Sequence, residues 1–402
     1  MPVTALKAVS SESHLRAAWA DVSRGGKNKP SYRREGIDGD SLLSFGERLE
    51  SNLARISSDL RNGSFRFQSL QPVFIPKPNG KERLICIPAV RDRIVQRALL
   101  NYLRPKSGWM ANGISFGFVP DHSVEGALHL AQQLRRARPW VFKTDITAFF
   151  DHIDRDLLTQ RLKARVKHPS IRPLLQAAFR CEIRVDNESQ RTKFKKQGIR
   201  EGRGVRQGMP LSPYFANLML EPFDLACIRA GHQAVRYADD LAFFAASEQE
   251  ARAMEDFCIS QLKSLNLQIP MLADGSKTRI YAPNEPAEFL GLELTPTRSG
   301  DYEIRASAAQ LERIKDRIHS FGSLQELELR KLDVTRFGNA LEATVRAYEA
   351  AYEHCVNAKD VSAHANTCRR NAIAKVMSAL GIDMQKLTAN QRWFLGFERT
   401  SK

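Results

Sequence analysis

The chain has 402 residues, enough to bury a large core and to hold two or three subdomains. Its 61 Lys and Arg outnumber 45 Asp and Glu, and the resulting charge of +16 points to a polyanionic partner such as nucleic acid. No apolar run approaches the ~18 residues of a membrane span, MPVTALKAVS lacks a secretory apolar core, and six scattered cysteines form no CxxC pair, so the expectation is a cytoplasmic protein with reduced thiols and no membrane partner.

In chain order, SRGGKNKPSYRREGIDGD (23–40) reads as a mobile basic loop and 41–63 as a helix with Leu49, Leu53, Ile56 and Leu60 on one face and a Gly stop. VFIPKPNGKERLICIP (73–88) predicts two short strands around a Pro-Asn-Gly turn, followed by a helix over 92–103. EFLGLEL (288–294) predicts a strand, and from Ser307 onward helical spacing dominates, with Leu311, Ile314, Ile318 and Phe321 as its apolar positions. The whole reads as an α+β body with an appended helical bundle.

Two places concentrate carboxylates at apolar strand ends. AVRYADDLAF (234–243) predicts a hairpin whose tip carries Asp239 and Asp240, and VFKTDITAFFD (141–151) predicts a strand ending at Asp145. Adjacent carboxylates repel, so a cation must offset them, unless the pair is merely a solvated surface turn. Two-metal nucleotidyl transfer needs carboxylates from separate strands around paired Mg²⁺ ions, and Asp145, Asp239 and Asp240 supply such a set, with Mn²⁺ as a substitute.

DITAFFD, GVRQGMPLSPYFANLML and YADD, in this order, resemble motifs A, B and C of a reverse transcriptase. SYRREGIDGDSLLSF and the stretch from LRNGSFRF to NYL are similar to the N-terminal extension and fingers of bacterial group II intron-type reverse transcriptases, as FGFVPDHSVEGAL is to the segment that follows. SKTRI (276–280) and FLGLEL resemble motifs D and E, so matching segments cover about 31–295. The resemblance implies a right-hand polymerase: N-terminal extension 1–70, fingers 71–140, palm 141–298 with a basic hairpin near 181–206, and a helical thumb over 299–402. The residues after motif E suffice for a thumb, so a stand-alone enzyme is expected, without the DNA-binding and endonuclease domains of mobile intron proteins.

Lys77, Lys81 and Arg83 flank a Gly turn, so their cationic heads can converge on a nucleoside triphosphate. The resemblance makes Phe150 the ring that excludes a ribose 2′-hydroxyl, although Phe149 could take that place. It places Tyr237 under the primer end, gives Lys277 protonation of the leaving pyrophosphate, and sets Asp240 farther from the metals than Asp239. Gln207 and Gly208 let the backbone approach template and nascent base pair, since Gly has no Cβ. Residues 191–206 hold seven basic residues and one acid, and Lys193, Lys195, Lys196 and Arg200 are read as binding the phosphates of a duplex or structured RNA. His364 and Cys368, with His354 and Cys355, could bind zinc, but their spacing fits no finger, and ordinary packing is the expectation.

The expected reaction is RNA-directed DNA synthesis from dNTPs on an RNA template. That template is expected to be a structured noncoding RNA, and the role, by analogy, defence against phage. VTG and NAxxH segments of retron enzymes are not evident; a retron-type enzyme making a branched RNA-DNA product and an RNA-binding maturase-like protein are the alternatives.

Overall fold

The computed structural model describes residues 4–24, 32–76 and 82–394. Its strands are β1 (Gln71–Pro76), β2 (Glu82–Ile87), β3 (Trp140–Asp145), β4 (Gln233–Tyr237), β5 (Asp240–Ala245), β6 (Arg279–Tyr281), β7 (Ala287–Phe289), β8 (Leu292–Pro296) and β9 (Tyr302–Arg305). They form a β1-β2 ribbon, a four-stranded sheet ordered β4-β5-β3-β6, and a three-stranded sheet ordered β7-β8-β9. The mixture of helices and antiparallel strands matches the expected α+β class. No helix among the described residues is long and apolar enough to cross a membrane.

The chain divides into two compact units, one comprising Met1–Ala127 and Phe142–Ile280, the other Leu128–Val141 and Tyr281–Lys402. The expected palm–thumb boundary at 298 thus falls inside the second unit, because the β7-β8-β9 sheet groups with the C-terminal helices. Val356 N donates to the Ile304 carbonyl of β9 at 3.0 Å, and Asn357 bonds both backbone groups of Ala306 (3.0 Å each). Buried Arg135 ties residues 128–141 to the same sheet, donating to the carbonyls of Leu294 (2.5 Å), Glu285 (2.6 Å) and Ala282 (2.9 Å) and lying 4.3 Å from the Tyr302 ring centroid. The stretch expected as one strand over 288–294 is two. Leu290 (φ 53°) and Gly291 (φ 80°) both enter the left-handed region and reverse the chain between β7 and β8.

In the second unit, helices Ala308–His319, Val334–Ala351 and Ala358–Ala379 bury Ile314, Ile318, Phe337, Leu341, Val345 and Val361. This is the predicted helical bundle. The His364 ring nitrogen lies 3.0 Å from the Leu311 carbonyl and 3.7 Å from Cys368 Sγ.

In the first unit, the helix predicted over 41–63 is broken at Arg48 into Leu42–Glu47 and Leu49–Arg61, the first closed by a Ser41–Ser44 capping box. Residues 25–31 of the predicted basic loop lie outside the described residues. The ribbon β1-β2 pairs antiparallel from Gln71–Ile87 to Pro76–Glu82, as its sequence predicts. Helix Ser212–Arg229 starts with Pro213 in its first turn and is buried along most of its length, which explains why its sequence shows no polar face.

Residues 188–196 are a helix, Glu188–Lys196, and not the expected basic hairpin. Asn187 caps it by accepting from Gln190 N (2.9 Å), and its Phe194 is buried against Phe74 of β1, ring centroids 5.9 Å apart. One buried ring amid dense charge offers no apolar period to read.

Candidate active site

Strand β3 delivers Asp145 at its C-terminal end, and the β4-β5 hairpin delivers Asp239 and Asp240 at its tip. The two strand ends are stitched together by Ile146 N donating to the Asp239 carbonyl at 3.0 Å. Ala238, at φ 56°, makes the tight reversal. That is an unusual conformation for a residue with a Cβ, and such strain persists where surrounding structure over-determines it.

The surroundings do so here. Tyr237 pairs with Asp240 across the hairpin. Under the tip lies Arg236, 1% exposed, whose guanidinium makes two bonds to Asp224 (2.6 and 2.5 Å) and one each to Ser115 Oγ (2.7 Å), Asn217 Oδ1 (3.1 Å) and the Ala238 carbonyl (3.1 Å). Asn217 also donates to the Gly117 carbonyl at 2.9 Å. Gly117 packs so closely that a Cβ on it would stand 2.3 Å from Ala238 N, so only glycine fits. A fully paired buried network of this kind fixes one geometry.

The carboxylates differ in environment. Burial, then the nearby Asp145 charge, push Asp239 above the ordinary carboxylate range, against Lys277 and Arg83, which favour its charge. Burial raises Asp240 to about 6, opposed by Lys143, whose Nζ lies 3.6 Å from Asp240 Oδ1. Asp145 is ion-paired through Oδ2 with Lys277, while its Oδ1 is buried with no hydrogen-bond partner among the described residues. An orphaned buried carboxylate oxygen on Asp145, near enough to Asp239 to influence its charge, fits a divalent cation. Among the described residues no group of three or more His, Cys, Asp and Glu is arranged to hold a metal. Asp240 Oδ1, like that of Asp145, is buried without a hydrogen-bond partner among the described residues, with Lys143 Nζ 3.6 Å away, so Asp145, Asp239 and Asp240 are all candidate metal carboxylates.

The other expected residues fall as follows. Arg83, on β2, is exposed and acts electrostatically on Asp239, whereas Lys77 and Lys81 lie outside the described residues. Phe149 is buried (2% exposed) while Phe150 is half-buried, their ring centroids 5.3 Å apart, which removes Phe149 as the ring available to a nucleotide. The Gln207 carbonyl accepts from Cys86 N at 2.7 Å, and a Cβ on Gly208 (φ 107°) would stand 2.6 Å from the Cys86 carbonyl. The close approach that demands this glycine is thus to β2.

On helix Glu188–Lys196, Lys195 and Lys196 are exposed, as is Arg200 beyond it. Lys193 is engaged: its Nζ sits 2.5 Å from Glu82 and 3.7 Å from the Phe74 ring centroid. Arg206, counted among the seven basic residues, is buried and pairs with Glu182 at 3.2 Å, so it does not reach phosphates from the surface. Sequence reasoning missed Lys143, Arg236, Asp224 and Gly117. Arg236 and Lys143 had a local signal, each as a charge inside an apolar strand.

Residues 75–294, more than half of the chain, match the family described as "Reverse transcriptase (RNA-dependent DNA polymerase)". The chain belongs to the reverse transcriptase family. It is 29% identical to Protein YkfC of Escherichia coli (strain K12) over 311 residues, 67% of this chain and 78% of that one. It is 26% identical over 183 residues to the group II intron-encoded protein LtrA of Lactococcus lactis subsp. cremoris, covering 44% of this chain and 28% of LtrA. A solved structure of telomerase from Candida albicans, with a TWJ fragment of telomeric RNA, aligns at a TM-score of 0.44 and 12% identity over 90% of this chain and 69% of that one. This is a group II intron-like reverse transcriptase with the right-hand polymerase fold expected of it. Reverse transcriptases generally use divalent metal ions such as Mg²⁺.

Proposed function

We propose that the chain extends a primer with deoxynucleotides on an RNA template, using Asp145 and Asp239 as its metal-holding carboxylates. The observation that carries this is the buried, unpartnered Oδ1 of Asp145 beside the raised carboxyl of Asp239, two strand ends joined by one backbone hydrogen bond. Bound Mg²⁺ or Mn²⁺ would supply activation of the primer 3′-hydroxyl and neutralisation of triphosphate charge.

Each side chain has a task. Arg83, exposed and close enough to influence Asp239, grips the triphosphate, with Lys77 and Lys81 assigned the same ligand. Phe150 lies under the sugar and excludes a 2′-hydroxyl. Tyr237, next to the strained tip, carries the primer end, and Gln207 with Gly208 supports the nascent pair from β2. Lys277, ion-paired with Asp145 and with its ammonium exposed, would serve as proton donor to the leaving pyrophosphate. Asp240, held by Lys143, supports the pair electrostatically.

The template is proposed to be a structured RNA, gripped through Lys195, Lys196 and Arg200, which face solvent. The six cysteines are free and buried, which suits a reducing cytoplasm. A role in phage defence stands as the biological extension of this reading.

The test is primer extension by purified protein with RNA template, dNTPs and Mg²⁺ or Mn²⁺, beside Asp145→Asn and Asp239→Asn. Extension by the wild type and its loss by orders of magnitude in both variants, with RNA binding intact, is the expected outcome. A wild type inactive on every template, including RNA that copurifies with it, overturns the reading. Plating phage on cells carrying the Asp239 variant tests the defence role separately.

A further inference from the structure

Phe118 is a bulky side chain in a backbone conformation that bulky residues avoid, with φ 61°. Strain of this kind costs ~1–3 kcal/mol and is normally offset by burial. Here the ring is 51% exposed. The backbone around it is held on both sides: Phe116 N donates to the Arg236 carbonyl at 2.8 Å, Gly117 abuts Ala238, and Val119 is buried. The exposed ring stands beside Tyr237 of the catalytic hairpin, centroids 6.4 Å apart and planes tilted by 45°. Two aromatic rings therefore flank the hairpin tip, one of them presented to solvent at a cost to the backbone.

We propose that Phe118 is a stacking platform for the 3′-terminal nucleotide of the primer, forming with Tyr237 an aromatic ledge that holds that nucleotide against the catalytic hairpin. The inference rests on the polymerase reading above and adds to it a residue outside the carboxylate and triphosphate sites. The occupant follows from place: the strand end that reacts must reach the hairpin tip, and the ring lies beside that tip. Stacking on an aromatic face tolerates any base, as an enzyme extending arbitrary sequence requires.

The probe is a DNA primer ending in 2-aminopurine, annealed to an RNA template and mixed with the full chain without dNTPs. Wild-type protein should change the fluorescence of the terminal base on binding, and Phe118→Trp should preserve that signal. Phe118→Leu and Phe118→Gly should abolish it and weaken primer-template affinity about ten-fold or more. Phe118→Gly also relieves the left-handed strain, so its Tm should match or exceed that of the wild type, which a purely structural Phe118 would not allow.

Unchanged signal and affinity in Phe118→Leu, while wild type extends primers normally, overturn the inference and leave the polymerase reading standing. A signal that appears only when 2-aminopurine is moved into the template strand also overturns it, as does a Tm several degrees lower in Phe118→Gly. Absence of both binding and extension by the wild type instead defeats the polymerase reading itself.

Discussion

Arg236 and Asp224 form a doubly hydrogen-bonded ion pair (2.6 and 2.5 Å), both buried, directly beneath the hairpin tip that carries Asp239. Removing one partner strands the other charge in the interior. Arg236→Met should therefore destabilise the protein by about 3–5 kcal/mol, measured by denaturant unfolding. Arg236→Met combined with Asp224→Asn should recover part of that stability but not polymerase activity, because the Ala238 carbonyl stays unanchored. Full recovery of synthesis in the double variant would show that the pair only stabilises the fold.

Phe150 is the half-buried ring of the Phe149–Phe150 pair. Phe150→Ala should raise ribonucleotide incorporation about ten-fold or more, the scale of a steric block of ~1–3 kcal/mol. Phe149→Ala should instead lower Tm, since that ring is 2% exposed, and leave sugar selection alone. The measurement is single-nucleotide extension with rNTP against dNTP.

Lys277 is ion-paired with Asp145, a carboxylate proposed to hold metal. Lys277→Met should lower the Mg²⁺ concentration for half-maximal activity by a few-fold, since an exposed ion pair is worth only ~0.2–1 kcal/mol. The same variant should lower kcat if Lys277 donates the proton to pyrophosphate. A Mg²⁺ titration of extension rate separates the two effects.

The basic helix divides by partner. Lys195→Ala, Lys196→Ala and Arg200→Ala together should flatten the salt dependence of RNA binding by about one log–log unit for each phosphate no longer neutralised. Lys193→Met should leave that slope nearly unchanged and raise KM for dNTP, because Lys193 braces Glu82, the neighbour of Arg83 on β2.

Asp92 is buried on helix Val90–Leu103, and desolvation raises its carboxyl to about 6 although Gln68 N donates to it at 2.8 Å. The native state then binds a proton that the unfolded chain has released. Its contribution is present in full below about pH 4 and is lost as pH rises through about 6, a change of up to ~3 kcal/mol against an ordinary value of 3.8. Asp92→Asn should flatten stability between pH 4 and 6 and leave the protein at least as stable at pH 7. Unfolding free energies measured across that range check it.

The sequence by itself determined the ribbon β1-β2, the strand ending at Asp145, the Tyr237–Asp240 hairpin and the helical C-terminal bundle. Each is a local pattern: alternating or periodic apolar residues with turn chemistry beside them, legible without knowing what packs against what. Tertiary structure alone decided the rest. Lys143 takes Asp240 although the two lie on different strands, Phe149 turns into the core and Phe150 away from it, and Gly208 abuts β2. Gly117 is far in the chain from Ala238, and Asp224 sits on a helix while Arg236 sits on a strand; neither Gly117 nor Asp224 carries a mark until the fold brings its partner into contact. The helix over 188–196 was hidden for a related reason: a single buried ring, Phe194, defines its inward face, and one residue shows no period until its packing against Phe74 is known. Propensity and pattern act between near neighbours, whereas burial and pairing act between whatever the folded chain places side by side.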